Sequence, residues 1–201
     1  METKNMAGNG ASRTEEGMDG KQVLKVGDHK RRTSEMVLRV LGLALTLVAA
    51  IIVGVDKQTK VVPIPVFSNL PPLYVPLTAK SHYISAFVYF VVTNAIACLY
   101  AAVSLLLITL ANRGGKQGLA LVIIILDLVM VAMLFSGNGA ATAVGVLGYK
   151  GNSHVHWNKV CNVFGNYCHQ LGAAVILSLL GSLAFLWLVG LAALNLHKKH
   201  K

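Results

Sequence analysis

Acidic side chains are scarce in this sequence. Eight Asp and Glu stand among 201 residues, and charged side chains of both signs make up 13% of the chain, where a soluble domain ordinarily carries about a quarter. Four buried helices of a soluble bundle would need charged outer faces, and the long apolar stretches here have none, which excludes that arrangement. Cysteine is also sparse, at three residues with no Cys-x-x-Cys, and this argues against a thiol–disulfide catalyst. The first 22 residues, "METKNMAGNGASRTEEGMDGKQ", contain no apolar core of the kind a secretory signal peptide needs. There is no Ser-His-Asp set, no Gly-rich phosphate loop and no catalytic pair of carboxylates. No catalytic residue is therefore assigned, no cofactor or metal is expected, and the chain is read as a non-enzyme.

What is abundant is apolar length. Hydrophobic residues make up 55% of the chain, and four segments reach the roughly 20 residues that cross a bilayer's hydrocarbon. They are residues 36–55, 83–110, 118–147 and 171–194, joined by loops over 56–82, 111–117 and 148–170 and ending in a tail over 195–201. The first 35 residues, rich in Gly, Ser and charge, are expected to lack order. The predicted fold class is an all-α membrane protein, a four-transmembrane-helix bundle with a disordered N-terminal tail.

Basic residues set the expected orientation. The N-terminal tail, the 111–117 loop and the C-terminal tail together hold twelve Lys/Arg, against five in the other two loops. Short cytosolic flanks are enriched in Lys/Arg, so both termini are expected in the cytosol and the 56–82 and 148–170 loops outside. The clusters "KRRTSEM" and "HKKHK" place positive charge beside anionic lipid headgroups. Membrane lipid accounts for the net charge of +10 without nucleic acid, since the basic residues sit at membrane edges and lack interleaved aromatics. In "RRTS", Ser34 has two readings: an N-cap behind anchoring arginines, or the target of a basic-directed kinase whose phosphate would weaken lipid attraction.

The 56–82 loop contains all five prolines. Proline fixes its own φ and drives the preceding residue to extended geometry, so this loop is expected to be extended and stiff. In the third span Gly137, Ala141 and Gly145 recur every four residues, and in the fourth Ser178 and Ser182 do the same. Such stripes let helix backbones approach closely in lipid, within the bundle or against a neighbouring subunit. Asn94 in the second span is expected to hydrogen-bond between helices. Cys161 and Cys168 can form a disulfide if their loop faces an oxidising compartment. The nearby His154, His156 and His169 match no standard zinc spacing, and Cys98 is read as a small packing residue.

"LVIIILDLVMVAML" places Asp127 in the middle of the third span, and Arg39 is the other ionisable group inside a span. An intramembrane ionisable residue is a functional hypothesis by default. Counting from the two span starts at 1.5 Å per residue puts Asp127 about 9 Å deeper than Arg39, a strained reach for a direct pair. Three readings stand open: an Arg39–Asp127 ion pair; Arg39 paired with Glu35 one turn earlier while Asp127 is protonated; or a proton or cation relay through Asp127, as in a channel or transporter subunit.

An arginine early in the first span and an aspartate in the third resemble the CASP-like proteins. These are plant relatives of the Casparian strip membrane domain proteins, within the MARVEL-like four-span group. "VDKQTK", "FVYFVVTNAIACLYAAVSLL" and "LDLVMVAMLFSGNGAATAVGVLGYKGNSHVHWNKVCNVFGNYCHQ" are similar to the first CASP-like subfamily, and the likeness covers about residues 36–195. By this resemblance Arg39 and Asp127 correspond to the family's intramembrane pair, and Cys161 and Cys168 to its outer-loop cysteines. The resemblance implies a plasma-membrane scaffold forming homo- and hetero-oligomers with related CASP-like proteins and recruiting cell-wall-modifying enzymes. The Casparian strip members carry a first-loop signature of the type "ESLPFFTQF". The loop here, "VVPIPVFSNLPPLYVPLTAK", lacks it, so the resemblance extends to the scaffold role and not to the strip itself.

Overall fold

A computed structural model describes residues 11–64, 73–111, 117–151, 154 and 159–199, with side chains described over 32–61, 74–110, 121–151, 154 and 159–194. Four helices account for most of it: α1 (Ala11–Val55), α2 (Ser85–Ala111), α3 (Gln117–Lys150) and α4 (Gly165–Lys199). Each is long and apolar enough to cross a membrane. By its internal packing the chain divides into two units, Met1–Val37 and Leu38–Lys201.

Helix α1 begins at Ala11, inside the stretch expected to lack order. Lys, Glu, Gln and Met are favourable helix residues, and lengthening a helix the span has already nucleated avoids a second nucleation cost. Residues 1–10 lie outside the described residues. Ser34, 23 positions past the start of α1, is consequently a mid-helix residue and not an N-cap.

Glycines make room for side chains where α1 meets α4. A Cβ on Gly42 would meet the Phe185 ring at 3.2 Å, and one on Gly181 would meet Thr46 Cγ2 at 3.1 Å. Helix α3 lies along both α2 and α4. The stripe of Gly137, Ala141 and Gly145 is spent inside the bundle: a Cβ on Gly137 would meet Thr93 Oγ1 of α2 at 2.5 Å, Ala141 is fully buried, and Gly145 faces Leu171 of α4. Helix α3 stops at Gly151, whose φ of 70° is a left-handed C-terminal conformation open to glycine at little cost. Its N–H returns to Leu147 O at 2.8 Å.

The core falls into two apolar clusters. One gathers Val53, Phe87, Phe90, Phe164, Tyr167 and Leu171, and the other Ala97, Ala101, Met130, Leu134, Phe185 and Leu188. Large apolar side chains on the outward faces, such as Leu99, Leu106, Leu128 and Trp187, are exposed, as expected where the surrounding solvent is lipid.

Between α1 and α2 the proline-rich segment is extended, and it is also paired. Strands β1 (Lys57–Ile64) and β2 (Leu73–Lys80) form an antiparallel ribbon with Lys57 opposite Lys80; residues 65–72 lie outside the described residues. Pro76 faces Val61 and Pro63 faces Tyr74, in the same alternation as Thr59 and Thr78, whose hydroxyls are 3.1 Å apart. That alternation suits the non-hydrogen-bonded positions of an antiparallel ladder, where side chains come closest and backbone N–H groups point away from the partner strand. Proline has no N–H to contribute to a ladder, and here the ladder requires none from it.

The base of the ribbon is tied to the helices. Gln58 Oε1 accepts from the Tyr167 N–H at 3.0 Å, and Ser81 Oγ donates to Val53 O at 2.6 Å. The Tyr167 hydroxyl donates to Ser81 Oγ at 3.4 Å, and its ring packs against Phe87. Cys161 and Cys168 are joined by a disulfide across the turn into α4, so the bridge encloses Phe164 and Tyr167, both buried in the cluster beneath.

Candidate functional site, a buried arginine–aspartate centre

Three helices build one closed polar centre. Arg39 comes from α1, Tyr100 and Ser104 from one face of α2 at a four-residue interval, and Asp127 from α3. The guanidinium grips the carboxylate with both terminal nitrogens: Arg39 Nη2 donates to Asp127 Oδ2 at 2.7 Å and Nη1 to Oδ1 at 3.1 Å. Nη1 also donates to Ser104 Oγ at 2.9 Å, and Ser104 donates in turn to Ala101 O of its own helix. The Tyr100 hydroxyl lies 2.7 Å from Asp127 Oδ1 and 3.0 Å from Ile123 O. Arg39 is 4% exposed and Asp127 is 1% exposed.

The physics of the centre is that of two desolvated charges. Placing either alone at mid-span costs roughly 2.5–3.5 kcal/mol on insertion scales. A two-pronged guanidinium–carboxylate contact is among the stronger charge-assisted geometries, and it recovers that cost only when the remaining lone pairs are also bonded. Tyr100 and Ser104 supply those bonds. Both Arg39 terminal nitrogens are engaged with Asp127 and Ser104, so the guanidinium is directed across the bundle. The axial gap read from the span starts does not arise, since the two side chains meet directly at 2.7 Å. Arg39 Nε and Asn138 Oδ1 are the buried side-chain polar atoms without a hydrogen-bond partner among the described residues.

A second polar layer crosses the bundle about 16 Å further along α3, eleven residues past Asp127 at 1.5 Å each. Ser178 Oγ of α4 donates to Asn94 Oδ1 of α2 at 2.8 Å. Asn138 Nδ2 of α3 reaches Ser182 Oγ of α4 at 3.3 Å and Leu134 O at 2.9 Å. Leu134 and Phe185, both fully buried, belong to the apolar cluster that also holds Ala97, Ala101 and Met130. Among the described residues no group of three His, Cys, Asp or Glu is placed to hold a metal; His156 lies outside them.

Arg39, Asp127 and Asn94 stand out in the sequence as groups that need a partner, whereas Tyr100, Ser104, Asn138 and Ser182 do not. A signal for two of them was available: Tyr100 and Ser104 are polar, one helical turn apart, in a span otherwise free of charge. Asn138 is three helical turns from Asp127 and so on the same face of α3.

Residues 28–184 match a family model, that of the Casparian strip membrane protein domain. The chain belongs to that family. It is a multi-pass membrane protein of the CASP-like group. CASP-like protein 1E1 of Vitis vinifera is 64% identical over 167 residues, covering 83% of each chain. CASP-like protein 1E1 of Glycine max is 59% identical over 188 residues, covering 94% of this chain and 97% of that one. The Arabidopsis thaliana protein of the same designation is 49% identical over 166 residues, covering 83% and 87%. No solved structure matches the chain significantly.

Proposed function

We infer that this CASP-like chain is a non-enzymatic scaffold of the plasma membrane. It assembles with copies of itself and with related CASP-like proteins, keeps both termini in the cytosol and the strand ribbon outside, and recruits cell-wall-modifying enzymes there. The observation that carries the reading is the state of Asp127. Its carboxylate is held by Arg39 and Tyr100 and is 1% exposed, which suits a clamp between α1 and α3 and leaves no face for a substrate. The orientation is supported by the excess of Lys/Arg on the tails and the 111–117 loop.

A channel or transporter subunit using Asp127 is the competing function. It requires water beside the carboxylate, whereas Asp127 is 1% exposed and Phe185, whose ring centroid lies 6.3 Å from that of the carboxylate's partner Tyr100, is fully buried. Two differently tagged copies expressed together are expected to co-purify from detergent, with less recovered for Asp127→Asn. Recovery of monomers alone would sink the scaffold. Voltage- or pH-driven flux in reconstituted vesicles, lost in Asp127→Asn at normal expression, would put the channel in its place.

A further inference from the structure

We propose that Ser34 is a phosphorylation site, and that phosphate there releases the N-terminal basic cluster from anionic lipid. The proposal rests on the cytosolic placement of the N-terminus argued above. Three observations support it. Lys30, Arg31 and Arg32 precede Thr33 and Ser34, giving arginines two and three positions upstream, the pattern a kinase with an acidic substrate groove reads. Ser34 is exposed and makes no hydrogen bond among the described residues, and the start of α1 at Ala11 removes capping as its task. It also belongs to the unit Met1–Val37 and not to the one that begins at Leu38.

The chemistry is ordinary phosphoryl transfer from a nucleoside triphosphate bound by the kinase. Ser34 Oγ attacks the γ-phosphorus and an O–P bond forms. The bond to the β-phosphate bridging oxygen breaks, the diphosphate leaves, and the hydroxyl proton passes to the kinase's aspartate. The product carries about −1.5 to −2 charges at pH 7. On a helix its nearest upstream neighbours are Lys30 at four residues and Arg31 at three. Phosphate can bond both, and each is then withdrawn from the headgroups. Two cations withdrawn correspond to about a 30-fold loss of surface attraction for this segment.

The test uses the full chain in nanodiscs, a basophilic Ser/Thr kinase and labelled ATP, with the modified residue located by mass spectrometry. Label is expected on Ser34, at a rate at least tenfold lower in Arg31→Ala. No label on Ser34, or a rate indifferent to Arg31→Ala, overturns the site; the unaltered chain alone decides the first point, so a poorly folding variant cannot obscure it. After modification, amide exchange over residues 21–35 is expected to quicken about tenfold or more in nanodiscs containing anionic lipid and to stay unchanged in neutral ones. Equal exchange in both overturns the lipid release. Kinase and ATP supplied outside sealed right-side-out vesicles are expected to leave Ser34 unlabelled. Label there would reject the cytosolic orientation while leaving the site itself standing.

Discussion

At the scale of single residues, the chain's chemistry is concentrated where charge is scarcest. Asp56 and Asp127 are the only acids after Glu35, and Asp127 is bonded to the one arginine inside a span. Removing one member of a buried pair leaves the other uncompensated and costs about 3–5 kcal/mol, whereas replacing both with apolar side chains of similar volume is often neutral. Arg39→Met and Asp127→Leu are each expected to lower thermal stability in detergent by that order, and the double variant to regain most of it. Singles and double equally unstable would mean the charge itself is needed. Lysine is no substitute at position 39, because a point charge cannot reproduce the planar two-pronged grip. Scarcity is also why Arg39 and Asp127 could be picked out from sequence. Tyr100 and Ser104 were not, since a lone hydroxyl in a span costs too little to demand a partner.

At the scale of elements, span positions were readable because the hydrocarbon's thickness imposes a length that composition reveals. The ribbon was only half readable. Five prolines announce extended backbone, but pairing depends on register, and the register of β1 on β2 puts both paired prolines in one alternation, the one that can do without their N–H groups. The seat of the ribbon carries its own titration. Burial, the larger cause, holds the Asp56 carboxyl above its ordinary 3.8, opposed by the backbone N–H of Lys57. With its amide turned to donate, Gln170 Nε2 lies 2.6 Å from Asp56 Oδ1, a bond that also favours the ionised form. A carboxyl whose value is raised by folding binds its proton more tightly in the folded state. Its contribution is therefore complete below the ordinary value and is lost as pH climbs through the raised one. Amide protection over Lys57–Lys60, corrected for intrinsic exchange, is expected to be greater near about pH 4 than near about pH 7. Asp56→Asn should flatten that difference; a wild-type profile already flat would rule the titration out.

At the scale of the whole molecule, inside and outside are both apolar and differ in packing density. Leu128 on α3 is 55% exposed and Ala101 on α2 is fully buried. Leu128→Ala is expected to change stability by less than about 0.5 kcal/mol, as surface substitutions do. Ala101→Leu adds the same volume where there is no room and is expected to cost about 1–3 kcal/mol. Thermal unfolding in one detergent measures both, and equal effects would mean the helices are not packed as described. Composition could not have separated these two positions, for a lipid-facing leucine and a core alanine both read simply as apolar.

The prolines of the ribbon bear on how molecules of this kind can crowd together. An exposed strand usually invites a neighbour's strand to zip onto it. Here Pro63 and Pro76, one in each strand, have no N–H to offer such a neighbour. Copies brought shoulder to shoulder can touch through side chains and separate again, without knitting into a shared sheet.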